Sequence, residues 1–249
     1  MGKRIDGDTP NMIEEYRKEL MAFYKPHFEN EKSLTEFVNL AFNYDKKYDQ
    51  IRFMIHQVQR FVSLANDIDK IRPARDSFRI FFLKICLESL CETSGKNKTT
   101  FFNEFEKYFS DEGTTYIISN IVFTGIDEPK NPSISQLIVL SNIENQKITM
   151  SSFLNIVKIV RDKVAHEGDY WSTQIFAHDN DSIRVTSLIT TKENIFNLDK
   201  NTWNDVLSIL NQKDITYIFE TSLDYSKFIF YFVQACIGFI KNYQDKLCE

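Results

Sequence analysis

The chain has 249 residues, 43% hydrophobic and 26% charged, with 22 Phe and 11 Tyr. That balance excludes a disordered chain and supplies enough apolar bulk for a sizeable core. Only 7 Gly and 5 Pro argue against a turn-rich all-β fold, and a net charge of −5 excludes a protein that coats nucleic acid nonspecifically, while leaving room for a local basic site.

The elements follow in chain order. Residues 1–10 read as a loose start. Met12 to Tyr24 suits a helix with Asn11 as N-cap, interrupted by Pro26. Ser33 to Tyr44 suits a second helix, with Ser33 and Glu36 at capping-box spacing. Asp49 to Ile71 is a third, its stripe formed by Phe53, Val58, Phe61, Val62 and Ala65. Pro73 ends it, because proline disfavours helix in the preceding residue. Residues 1–72 thus form a helical N-terminal region expected to pack on the rest, 73–249. Ala74 to Glu92 carries Phe78, Phe81, Phe82, Ile85, Leu87 and Leu90, too many for one narrow face, so it is expected to be a central buried helix. Another helix is expected over Thr99–Phe109. The run from Asp127 to Ser133, with two prolines, is the clearest connector.

Met150 to Ala165 is an amphipathic helix with Phe153, Ile156, Val157, Val160 and Val164 on one face. Ser151 and Ser152 are its expected caps, and Gly168 sits where a glycine stops a helix. Thr173 to Thr191 alternates apolar and β-branched residues with polar ones and reads as a β-hairpin, with His178–Asp181 as its turn. Ile215 to Phe219 suits a further strand, and an aromatic helix closes the chain from Leu223 or Asp224 to Lys246. Its most apolar window, Phe228 to Ile240, is too short to span a bilayer and contains Gln234, so a buried core helix is expected. Cys86, Cys91, Cys236 and Cys248 form no C-x-x-C pair and read as reduced thiols. The N-terminus is polar and without an apolar h-region, and a cytoplasmic protein with no membrane partner is expected.

The residues that bear chemistry are Arg161-Asp162-Lys163-Val164-Ala165-His166, followed by Glu167-Gly168-Asp169-Tyr170. Histidine titrates nearest neutral pH and serves as general acid or base. Arginine stays charged and offers a planar fork to phosphate oxygens. RNA carries its own nucleophile, the 2′-hydroxyl, so one Arg and one His are a minimal metal-free cleavage kit. Asp162 lies one turn before His166 on a helix and is placed to orient the ring. Lys158 and Lys163, with Arg161, make a local basic patch for an RNA backbone, and Tyr170 and Trp171 are candidates for base stacking. On a regular helix Arg161 and His166 stand about 140° apart. Either the helix ends at Ala165 and His166 turns inward, or two chains bring two copies of the motif to one cleft.

This Arg-x4-His pair, with a polar residue after the Arg and a Val-Ala-His lead into a Gly turn at the end of a core helix, resembles the R-x4-6-H signature of the HEPN superfamily. The resemblance covers roughly residues 74–246. It implies a mainly α HEPN-like helical bundle, here with a β-hairpin insertion near 173–191. It also implies a metal-independent, cofactor-free ribonuclease that builds its site at a homodimer interface, of the kind found in toxin–antitoxin, abortive-infection and CRISPR-associated defence. An antitoxin or other regulatory protein would restrain it. Members that bind a protein or nucleotide without catalysis give the alternative reading.

Overall fold

A segment with apolar side chains on every face has no side to give to water, so it must become the centre of the packing. Asp76–Thr93 does so: Ile80, Leu83, Cys86, Leu87, Leu90 and Cys91 are all buried. The computed structural model describes residues 10–72, 75–126, 141, 146–168, 173–177, 183–190, 193–210 and 215–248. Among them are nine α-helices: α1 (Pro10–Tyr24), α2 (Glu31–Leu40), α3 (Asp49–Ile71), α4 (Asp76–Thr93), α5 (Lys98–Phe105), α6 (Asp111–Ser119), α7 (Met150–Glu167), α8 (Lys200–Leu210) and α9 (Tyr225–Cys248). The strands are β1 (Ile121–Ile126), β2 (Phe176–Ala177), β3 (Arg184–Thr190), β4 (Ile215–Thr221) and β5 (Leu223–Asp224). The molecule is mainly helical with a small sheet.

The N-terminal helices join α4 through α3. α3 lies along it, burying Ile51, Met54, Ile55, Val58, Val62 and Ala65, while Phe53 of the expected stripe stays exposed. The Tyr24 hydroxyl donates to the Ile55 carbonyl at 2.7 Å and pins α1 to α3. Pro26 sits in a 3-10 turn, Lys25–His27, straight after α1. α2 begins at Glu31, capped by Asn30, whose side chain accepts the Ser33 N–H at 2.9 Å. The Ser33–Glu36 capping box is therefore not the start of this helix: Ser33 already lies inside it.

α7 packs on the opposite side of α4. Its N-cap is Thr149, which accepts the Ser152 N–H at 3.1 Å, and not Ser151 or Ser152. Its far end extends through Glu167 and closes at Gly168, whose φ of 67° is open to glycine at little cost. α9 packs on α3 and carries Phe228, Phe232, Val233, Cys236, Phe239 and Ile240 into the core. Among the described residues no helix is long and apolar enough to cross a membrane. Cys86, Cys91 and Cys236 are free and buried.

The segment expected to be a hairpin is split between two sheets. β3 pairs antiparallel with β4, and β4 pairs antiparallel with β1, giving the order β1-β4-β3. β2 pairs in parallel with β5 over two residues. Alternation announced strands here but carries no information on partners, and a strand near 215 was closer in space than the neighbouring one in sequence. The buried face of the sheet, with Phe123, Leu188, Tyr217 and Phe219, faces α7, and Ile156 of that helix lines a small apolar gap together with Ile121, Leu188 and Phe219. The elements α6, α8 and β1 had no counterpart in the sequence reading, and the helix expected over 99–109 divides into α5 and a 3-10 turn, Glu106–Tyr108. The connector at 127–133, Pro73, and the turn at 178–181 lie outside the described residues.

Candidate functional site

α7 is amphipathic, so its two end faces are set by what lies on each side. Arg161 points to α4. One guanidinium nitrogen donates to the Glu88 carboxylate at 2.9 Å and another to Asp162 at 2.8 Å. Arg161 and Glu88 are each 22% exposed, so this is a half-buried ion pair that ties α7 to α4. The Arg161 Nε is buried and has no hydrogen-bond partner among the described residues. Glu88 is shared. Its other oxygen lies 3.6 Å from Lys84, one turn earlier on α4.

Lys84 is unusual in this fold. Its side chain is 3% exposed, and its ammonium lies 3.2 Å from the centre of the Phe102 ring. Burial pulls its pKa down to about 8, against the opposing pull of Glu88 and Asp162. The four charges Lys84, Glu88, Arg161 and Asp162 thus alternate in sign around the α4–α7 contact.

His166 stands elsewhere. It is exposed and makes no hydrogen bond or ion pair among the described residues. α7 does not end at Ala165, so His166 does not turn inward. The regular helix keeps it about 140° from Arg161. One chain therefore does not present the two side chains to a single phosphate. Asp162 also departs from the orienting role expected of it: its carboxylate holds Arg161, which is the stronger donor and the nearer one.

The basic patch divides in the same way. Lys158 is exposed, 52% by side chain, with Glu193 at the limit of ion-pair distance, 4.0 Å. Lys163 is not available on that face. It lies on another side of α7, its side chain is 12% exposed, and it pairs with Glu167 at 3.2 Å. Tyr170 and Trp171 lie outside the described residues.

Of the expected site residues, the structure brings Arg161 and Asp162 together and leaves His166 and Lys158 on the outer surface of the same helix. Two residues were missed. Lys84 and Glu88 interrupt the apolar stretch Ile80–Leu90 of α4 one turn apart, and that intrusion is the signal that could have marked them. Buried charges are kept only where partners compensate their desolvation.

Against known proteins, no family model, no curated protein and no solved structure matches the chain.

Proposed function

We propose that the protein is a metal-independent endoribonuclease of HEPN type that acts as a homodimer in the cytoplasm. In this reading it serves bacterial defence or a toxin–antitoxin stress response. The observation that carries the reading is the placement of the Arg-x4-His pair. It ends a helix of the core, with His166 bare on the surface and Arg161 one turn away in a half-open ion pair. His166 moves the proton: it takes it from the 2′-hydroxyl or returns it to the leaving 5′-oxygen. Arg161 stabilises charge on the phosphorane-like transition state, with its fork on two phosphate oxygens. Asp162 and Glu88 position that fork until phosphate takes their place. Since one helix sets the two groups apart, the partner in each site comes from a second copy. Lys158 assists on the RNA backbone, and a restraining antitoxin or regulatory protein completes the system.

A non-catalytic binding module is the second reading. It is favoured by one fact: both terminal nitrogens of Arg161 are already taken by carboxylates.

The test is cleavage of total RNA and tRNA in EDTA by the wild type, His166→Ala and Arg161→Ala. Each variant is expected to lose at least about 100-fold in rate. Mixing the two inactive variants is expected to restore part of the activity, because a site with Arg161 from one chain and His166 from the other is intact in half of the mixed dimer. Recovery that fails while each variant is inactive overturns the two-chain site. Intact RNA with the wild type favours the binding module.

A further inference from the structure

α4, α5 and α7 enclose a cleft of about 240 Å³ beside the charge cluster. Ligand pockets for drug-sized molecules run from roughly 300 to 1,000 Å³, so this one suits a single nucleobase-sized group. Its floor is Lys84 and the half-buried Phe102 ring. Its rim carries Lys98 from α5 and Lys158 from α7. Ser151, Leu154, Asn155 and Asp162 complete the α7 side.

The charge of the lining is uneven. Glu88 and Asp162 are both engaged by Arg161, and Glu88 also by Lys84. Lys98 is exposed and makes no ion pair among the described residues. Among the described residues Lys158 has only the distant, exposed Glu193, a contact worth little in water. Among the described residues this cleft thus has weakly paired cations at its mouth and, inside, a half-buried aromatic ring with the Lys84 ammonium on one face and the other face left for a base. That is the chemistry of a single-stranded nucleic-acid subsite: a base against a ring, phosphate on lysines.

The cleft is also aligned with His166. Asn155, Lys158, Asp162 and His166 follow one another at three- and four-residue steps, so they share one face of α7. Lys158 and His166 are eight residues apart, about 12 Å along the helix. A strand leaving the cleft along this face runs directly onto His166.

We infer that the α4–α5–α7 cleft is the subsite for one RNA nucleotide next to the bond that is cut, with its base on Phe102 and its phosphate on Lys98 and Lys158. The identity of the ligand as RNA rests on the nuclease reading above; the site itself does not. Lys84 forms the closed end of the cleft and supplies positive potential without reaching solvent.

The experiment measures binding apart from cleavage. The probe is a short fluorescent oligoribonucleotide with every 2′-hydroxyl methylated, which cannot be cut because its nucleophile is blocked. Anisotropy titrations compare the wild type with Lys98→Ala, Lys158→Ala and Phe102→Leu, with the distant exposed Lys32→Ala as a control, each checked for folding by thermal melting. The expected result is a Kd raised about 10-fold by Phe102→Leu. Each cleft lysine removed should weaken binding and flatten the salt dependence by about 0.7 in the log–log slope, while Lys32→Ala changes nothing. Lys98→Ala leaves the core untouched, so it tests the site even if Phe102→Leu melts early. Cleft variants that bind like the wild type, or a wild type that does not bind the probe at all, overturn the inference. If the wild type binds through the cleft but cleaves no RNA, the subsite stands and the nuclease reading falls.

Discussion

α4 carries two arginine–carboxylate networks, one at each end, and they are built for opposite purposes. At its N-terminus Asp76 is fully buried and accepts the backbone N–H groups of Ile175 and Phe176 at 2.9 and 2.8 Å. Arg79 bonds Asp76 at 3.3 Å and Asp69 at 3.0 Å, and its guanidinium lies 4.2 Å from the Tyr225 ring centre. Here Asp76 and Arg79 are sealed, at 0% and 8% side-chain exposure, with only the outer partner Asp69 of α3 open to water at 43%, and they join α4 to α3, to the strand region and to α9. At the other end Glu88 and Arg161 are each 22% exposed and Asp162 is 41% exposed, beside an open cleft. A sealed network cannot exchange its partners without exposing a buried charge; a half-open one can trade a carboxylate for a phosphate. The first holds the fold, and the second is the one suited to chemistry.

Mutation separates the two. Asp76→Ala leaves Arg79 with one carboxylate fewer and two buried N–H groups without an acceptor. It is expected to cost about 3–5 kcal/mol, a fall of roughly 10 °C in Tm by calorimetry. Arg161→Ala is expected to cost only about 1 kcal/mol, because Glu88 keeps Lys84 and Asp162 reaches water. A loss at Arg161 equal to that at Asp76 would abolish the distinction.

Lys84→Met is expected to stabilise the protein at pH 7 by about 1–3 kcal/mol, measured by urea unfolding, since a desolvated ammonium gives way to an apolar chain of similar length. The sign follows from its pKa. The folded value of about 8 lies below the unfolded value near 10.5, so the unfolded chain binds more protons between them. Stability therefore carries the full penalty below pH 8 and recovers as pH climbs towards 10.5, and Lys84→Met should remove that rise.

The smallest effect is expected in the N-terminal layer. His27 stacks on Phe230 with its Nδ1 buried and without a partner among the described residues, and burial lowers its pKa to about 4. Its contribution is intact above the unfolded value near 6.5 and is lost as pH falls from there towards 4. His27→Phe is expected to narrow the acid loss in that window, read by melts at pH 7 and pH 4.5. An unchanged pH profile would show that His27 is already protonated in the fold.

Much of the helical frame was legible because its signals are local. Asp49–Ile71, the apolar run at 76–93, and α7 with its Gly168 stop all follow from periodicity and end residues within a few positions. α6 and β1 were not read, being short segments with few turns to show a period, whereas α8 was missed although Trp203, Val206, Leu207 and Leu210 fall at helical spacing. Partners are not local at all. β3 alternates correctly in sequence, yet its pairing with β4 instead of β2 depends on how the chain returns. The candidate site divides along the same line. The Arg161–His166 spacing can be read from the letters, and so can their separation on a helix. That Arg161 is held by Glu88, 73 residues away, cannot. Nor can the burial of Lys84 over Phe102.

The sequence by itself determined which segments coil, where α7 stops and which side chains can move protons or meet phosphate, because these depend on residue type and spacing within a turn or two. Only the tertiary structure decided which charges are sealed and which stay open. It also decided that Asp162 serves Arg161 instead of His166, and that a cleft opens between α4, α5 and α7 as far as Asp162, one turn short of His166. Desolvation and ion pairing depend on what distant segments bring alongside, and those distances exist only once the chain has packed.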